Sequence, residues 1–188
     1  VLFRSVGKPD MPGYWRDYRL YITARAGDPN YTAMNELEFR IGGVDVSSPS
    51  SVTNHSTTSG AGFGSDKLVD NDFTGSNTRW SSDLNVPFPQ WVSVSPTGSL
   101  VRVEEILIWP YGTSPTRAPM DFIVQGTLDG STWVDICAYT GVLGWTADTP
   151  KTFSILNDLY KYFRVYITAN MGAADYTALA EIELLNID

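Results

Sequence analysis

The sequence predicts an all-β domain folded as an antiparallel sandwich or barrel. Three observations carry this expectation. Helical periodicity is almost absent along the chain. Segments 18–24, 101–109, 121–126, 132–138 and 162–168 are rich in Val, Ile, Tyr, Phe and Thr, and several alternate apolar with polar residues as half-buried strands must. Turn-forming runs separate them: Gly42-Gly43, Pro96-Thr97-Gly98, Asp129-Gly130 and Ala147-Asp148-Thr149-Pro150. Short strands at this spacing, with no helices between them, pair into sandwiches or barrels.

Composition bounds the rest. At 188 residues and 20.7 kDa the chain makes one ordinary domain. A domain of this length buries roughly 70% of its unfolded surface and needs no staple to hold a core. The single cysteine, Cys137, excludes an internal disulfide, and the single histidine, His55, argues against structural zinc. The net charge of −8 and pI near 4.5 oppose binding to nucleic acid or anionic lipid. With 43% hydrophobic, 13% aromatic and 18% charged residues, the chain reads as folded rather than disordered. No apolar run reaches about 18 residues, so no membrane insertion is expected.

Taken in order, residues 1–16 read as an N-terminal extension and 17–188 as a single domain. The opening VLFRSVG is too short and mixed for a signal peptide, and Val1 reads as a processed terminus or a fragment end. YRLYITARAGDPNYTAMNELEF (18–39) matches FRVYITANMGAADYTALAEIEL (163–184) without a gap, 145 positions further on. The shared residues include Arg19/Arg164, Tyr21/Tyr166, Gly27/Gly172, Tyr31/Tyr176, Glu36/Glu181 and Glu38/Glu183. Each copy reads as strand, long loop, strand, which puts the two terminal strand pairs in related positions. A common structural environment and an ancient duplication both account for the match, and two copies are too few for a solenoid. Residues 46–66 are dominated by Ser, Thr and Gly, and predict a surface loop holding one short strand. Residues 119–134 run a strand into an Asp129-Gly130 hairpin turn. Trp80, Trp91 and Trp133 are assigned to the core, and Cys137 reads as a buried, inert thiol.

The segment 67–82, KLVDNDFTGSNTRWSS, carries the most chemistry. Asp70 and Asp72 flank a tight turn and offer hard oxygens on one side of a loop, as a calcium ion requires. It lacks the Gly and distal Glu of an EF-hand loop. From spacing alone, an ion site and an Asx-rich turn without an ion both fit. Catalysis is not expected: His55 lies in a Ser-rich loop without a nucleophile-elbow pattern, and no phosphate-cradling Gly loop precedes a helix.

The run LVDNDFTGSNTRWSSD, then PQWVSV, EEILIW, RAPMDFIVQGTLDGSTWVDI, Trp145 before KTFSI, YFRVYIT and ALAEIELL resembles the discoidin, or F5/8 type C, domains, which include the family-32 carbohydrate-binding modules. The resemblance covers about residues 52–185. The N-terminal YWRDYRLYITA…NELEF looks like discoidin-like domains of bacteriophage structural proteins. It implies a galactose-binding-domain-like jelly roll with one structural calcium. Its ligands would be the Lys67 carbonyl, Asp70, Asp72, Thr78, the Ala180 carbonyl and Glu181. The loop is about three residues longer than the family pattern, so Thr74 or Ser76 could stand in for Thr78. Asn71 takes a position usually held by Gly, and Asn tolerates a left-handed backbone. Glu36 matches Glu181 in the first copy and reads either as a ligand to a second ion or as a surface carboxylate.

Family ligands sit in the loops at one end of the sandwich. Candidates are Trp109, Tyr111 and Arg117 in WPYGTSPTRAP, Asn54 and His55 in the Ser/Thr loop, and Trp145 in GVLGWT. Two functions follow as expectations: a non-catalytic carbohydrate-binding or adhesion module, or a structural virion or filament subunit that docks through the sandwich. The implied partners are a cell-surface glycan or other virion proteins, with a homo-oligomer allowed. The implied location is extracellular or on a virion surface.

Overall fold

In a computed structural model of the chain, residues 17–23, 31–45, 47, 52–72, 78–95, 103–155 and 162–186 are described. The expected extension 1–16, the turn 96–98, and Thr74 and Ser76 lie outside them. The strands are β1 (Asp17–Ile22), β2 (Tyr31–Ile41), β3 (Val44–Asp45), β4 (Val52–His55), β5 (Trp80–Ser81), β6 (Gln90–Ser95), β7 (Glu105–Pro110), β8 (Pro119–Thr127), β9 (Val134–Tyr139), β10 (Lys151–Ser154), β11 (Tyr162–Asn170) and β12 (Tyr176–Asn186). Helical backbone among the described residues is confined to two 3₁₀ turns, Ser65–Val69 and Pro115–Arg117.

The strands form two sheets packed as a sandwich. The first has the order β4-β6-β1-β11-β8-β9, and the second β10-β7-β12-β2-β3, with β5 pairing to β2. Alternation along each strand decides which side chains enter the space between them. Leu20, Ile22, Val92, Val94, Phe122, Val124 and Ile167 enter from the first sheet. Met34, Leu37, Phe39, Ile106, Ile108, Leu179 and Ile182 enter from the second.

The sheets are mixed, which corrects the antiparallel expectation. β1 runs parallel to β11, and β2 parallel to β12. Both ladders pair strand residues of the first copy with their matches 145 positions on: Arg19 with Arg164, Tyr21 with Tyr166, Tyr31 with Tyr176, Glu36 with Glu181. The internal similarity is therefore a pairing register. Strand alternation cannot reveal this, because period-two patterns look the same whichever way the neighbour runs.

The expected hairpin joins β8 to β9. Gly130 takes φ +77°, and Asp129 Oδ1 accepts from the Ser131 and Thr132 N–H groups at 2.7 Å each. These donors hold the Asp129 carboxyl well below the usual carboxylate range.

Trp80 is fully buried and donates its indole N–H to the Thr57 carbonyl at 3.0 Å. Trp91 and Trp133 are only half-buried and leave the core. Trp91 alternates with the core residues Val92 and Val94, so it faces outward under the Arg19 guanidinium, 4.2 Å away. Trp133 lies under Arg164 at 4.1 Å. Cys137 is half-buried rather than buried, and burial raises its thiol pKa, which keeps the nucleophilic thiolate scarce. Trp80→Ala is expected to cost about 3–5 kcal/mol in urea unfolding. Trp91→Ala should cost about 1 kcal/mol, the size of a partly exposed cation–π contact. Equal losses would contradict this assignment of faces.

Candidate functional site

At one end of the sandwich, rings and guanidinium groups form a continuous half-buried chain. Arg79 lies 5.5 Å from the Phe63 ring and donates to the Tyr111 hydroxyl at 3.4 Å. Arg117 sits 5.7 Å from the Tyr111 ring and 4.4 Å from that of Tyr176. Tyr176 stacks on Tyr31 with centroids 5.3 Å apart and 23° between planes. Pro115, at the start of the 3₁₀ turn, helps to fix the loop that carries Arg117. Arg117 also bonds to Asp175 and holds that carboxyl below its usual range.

Of the residues predicted to bind ligand, Tyr111 and Arg117 meet here. The others lie elsewhere. Trp109 points outward from β7, opposite Glu181 in the ladder, with its indole N–H buried and unbonded among the described residues. His55 and Asn54 are on β4, at the edge of the first sheet, where His55 Nδ1 lies 2.8 Å from Ser65 Oγ. Trp145 is 6% exposed, bonds to the Pro119 carbonyl at 2.9 Å and packs near Phe153. It plugs the core and has no face to offer a ligand. Sequence reasoning missed Phe63, Arg79, Tyr31 and Tyr176. The last two carried a signal, since the two copies match there.

The residues predicted to hold a metal divide between two places. Asp70 and Asp72 flank Asn71, which takes φ +55°, and the Asp72 N–H donates to Asp70 Oδ1 at 3.2 Å. Lys67 Nζ lies 3.2 Å from Asp70 Oδ2. Thr78 accepts from the Asn35 side-chain amide at 3.3 Å. Glu181 and Ala180, however, lie on β12, and β2 stands between that strand and the Asp70 segment. The carboxylate that meets Asp70 is Glu36.

Glu36 is fully buried, and among the described residues neither of its oxygens has a hydrogen-bond donor. Burial first, then the charges of Asp70, Glu38 and Glu181, push its pKa up to about 9. Without a cation, the Glu36–Asp70 contact can be satisfied only by a proton shared between them. Beside it, Glu38, Glu181 and Glu183 bring carboxylate oxygens within 4.8 Å of one another. Arg40 pairs with Glu38 at 2.6 Å and with Glu183 at 3.4 Å. One guanidinium thus pairs with two of the three carboxylates, and the third, Glu181, is pushed to about 8, by burial foremost. A buried acid group with orphaned oxygens beside Asp70 suits a hard cation such as calcium.

A family model of the F5/8 type C domain matches residues 44–182, and the chain belongs to that family. A search of curated proteins finds no match. Domains of this family bind carbohydrates or proteins, are generally non-catalytic and are typically extracellular. Among the described residues, no helix is long and apolar enough to cross a membrane.

The raised carboxyls fix a direction of pH dependence in metal-free protein. A carboxyl with a raised folded pKa stabilises the fold while neutral. That contribution is complete below its ordinary value of 4.5 and is lost as pH climbs through about 8 and 9. With chelator present, the melting temperature should fall from pH 5 to pH 9, and Glu36→Gln should flatten the fall. A melting temperature that rises across this window would count against the assignment.

Proposed function

We propose that this domain is a non-catalytic carbohydrate-binding module of the extracellular or virion surface, which takes its ligand at the loop end. The observation that supports this most is the unbroken chain Phe63, Arg79, Tyr111, Arg117, Tyr176 and Tyr31. Sugar recognition needs ring faces for the apolar side of a pyranose and planar donors for its hydroxyls, and this chain supplies both. Around Tyr111, Arg79 and Arg117 offer donors that their stacking contacts leave uncommitted.

The domain binds one calcium ion in a structural role. Glu36, Asp70, Asp72 and Thr78 hold it, with the Lys67 carbonyl, and Glu36 takes the part first expected of Glu181. The orphaned oxygens of Glu36 support this ligand set. The ion ties the Asp70 loop to β2, and so steadies Arg79, which follows Thr78 into the loop end.

Two measurements test the reading. Calcium at a hundred times its Kd should stabilise by about 2.7 kcal/mol, or roughly 5–10 °C for a domain of this size. Glu36→Gln and Asp70→Asn should each abolish the shift, and no shift in the parent protein would remove the ion from the account. On a glycan array, a signal from the parent protein should drop at least tenfold in Tyr111→Ala. No glycan signal, together with stable self-assembly, would favour the structural-subunit reading.

A further inference from the structure

The outer face of the first sheet, with the β8–β9 turn, carries a second set of rings and guanidinium groups that shares no residue with the loop-end chain. The parallel register puts Arg19 beside Arg164, and Tyr21 beside Tyr166. Across the strands, the polar row reads Ser93, Arg19, Arg164, Gln125, Asp135, and the next row reads Trp91, Tyr21, Tyr166, Ile123. Tyr21 and Tyr166 stack with centroids 5.4 Å apart and 13° between their ring planes. Arg164 lies 4.1 Å from the Trp133 ring, 4.6 Å from Tyr21 and 5.1 Å from Tyr166. Between Arg19, Gly130, Trp133 and Tyr162 is an open cavity of about 220 Å³, the space of about seven water molecules.

Two like charges directly opposite one another on a sheet are unfavourable. Arg40 and Arg117 each have a carboxylate partner. Among the described residues, neither Arg19 nor Arg164 has one within ion-pair distance. Stacking does not replace it, because a cation–π contact uses the face of the guanidinium and leaves its N–H donors in the plane. Arg164 commits Nε to Gln125 Oε1 at 2.6 Å, and Gln125 in turn binds Asp135 at 2.5 Å. The Arg19 side chain makes no hydrogen bond to the described residues, and its Nε is buried without a partner among them. In-plane donors on two neighbouring guanidinium groups fit carboxylates, which they engage in bidentate pairs. The flanking rings fit the apolar faces of sugar rings. A peptide would bind instead at a strand edge, and this row lies inside the sheet.

We propose that this face is a second binding site, for glycan chains whose sugars carry carboxylates. The proposal extends the carbohydrate-binding reading to a different surface, and the test separates the two.

Calorimetric titration with oligogalacturonate, and with its carboxyl-reduced neutral counterpart, would be run in chelator so that the calcium loop plays no part. The expected result is binding of the charged oligomer alone, weakened at least tenfold by Arg19→Ala, by Arg164→Gln and by raising salt from 0.1 to 0.5 M. Tyr111→Ala should leave it unchanged. Trp133→Phe should weaken it less than Arg19→Ala, with melting temperatures within a few degrees of the parent. The proposal is overturned by no binding, by equal binding of the neutral oligomer, by tighter binding of poly-glutamate, or by unchanged affinity in well-folded Arg19→Ala. Loss in Tyr111→Ala with retention in Arg19→Ala would overturn it while leaving the loop-end reading intact.

Discussion

The structure depends on one constraint, the in-register parallel pairing of β1 with β11 and β2 with β12. Parallel strands that carry the same residues at the same positions put like beside like. On the inner faces this is favourable, because Leu20 meets Val165 and Leu37 meets Ile182 within one core. On the outer faces the same rule stacks tyrosine on tyrosine and sets arginine beside arginine and glutamate beside glutamate. A slip of one residue would turn every core side chain to the outside, so the register is not free to relieve the charges.

The acidic group follows from that constraint. Glu36, Glu38, Glu181 and Glu183 occupy adjacent positions on two neighbouring strands, all buried. A charged carboxylate is costly in such a place unless it is paired or bound to an ion. Arg40 offsets part of the charge, and raised pKa values absorb more of it by protonation. The placement of β2 next to β5 also explains why Glu36, not Glu181, meets Asp70. The family pattern read along the sequence names the last strand, yet the strand that reaches the loop comes from the first copy.

Much of this was legible in advance. Strand segments, the Asp129-Gly130 hairpin and the left-handed Asn71 follow from local chemistry, which sequence reports directly. The assignment of Trp91 and Trp133 to the core failed because hydrophobic size was weighed over strand phase, and guanidinium groups cover both rings. Trp145 read as a loop-end aromatic because its sequence surroundings are turn-like, whereas long-range packing onto Phe153 and Pro119 buries it. The pairing of Glu36 with Asp70 depends on which strand lies between which others, and no local pattern encodes that. The repeat did hold the register, in a form that only adjacency turns into geometry.

The placement of β1 and β2 has a further consequence. Residues 44–182 match the family, yet β1 and β2 precede that span and are interior strands, β1 between β6 and β11 and β2 between β12 and β5. A chain lacking them would carry a seam in each sheet, each bordered by unpaired backbone donors and acceptors. Such open edges recruit strands from other molecules. β1 and β2 of one copy would fit the seams of another with the register already written in the repeat. The arrangement that closes this domain on itself is thus also a template for strand exchange between neighbours.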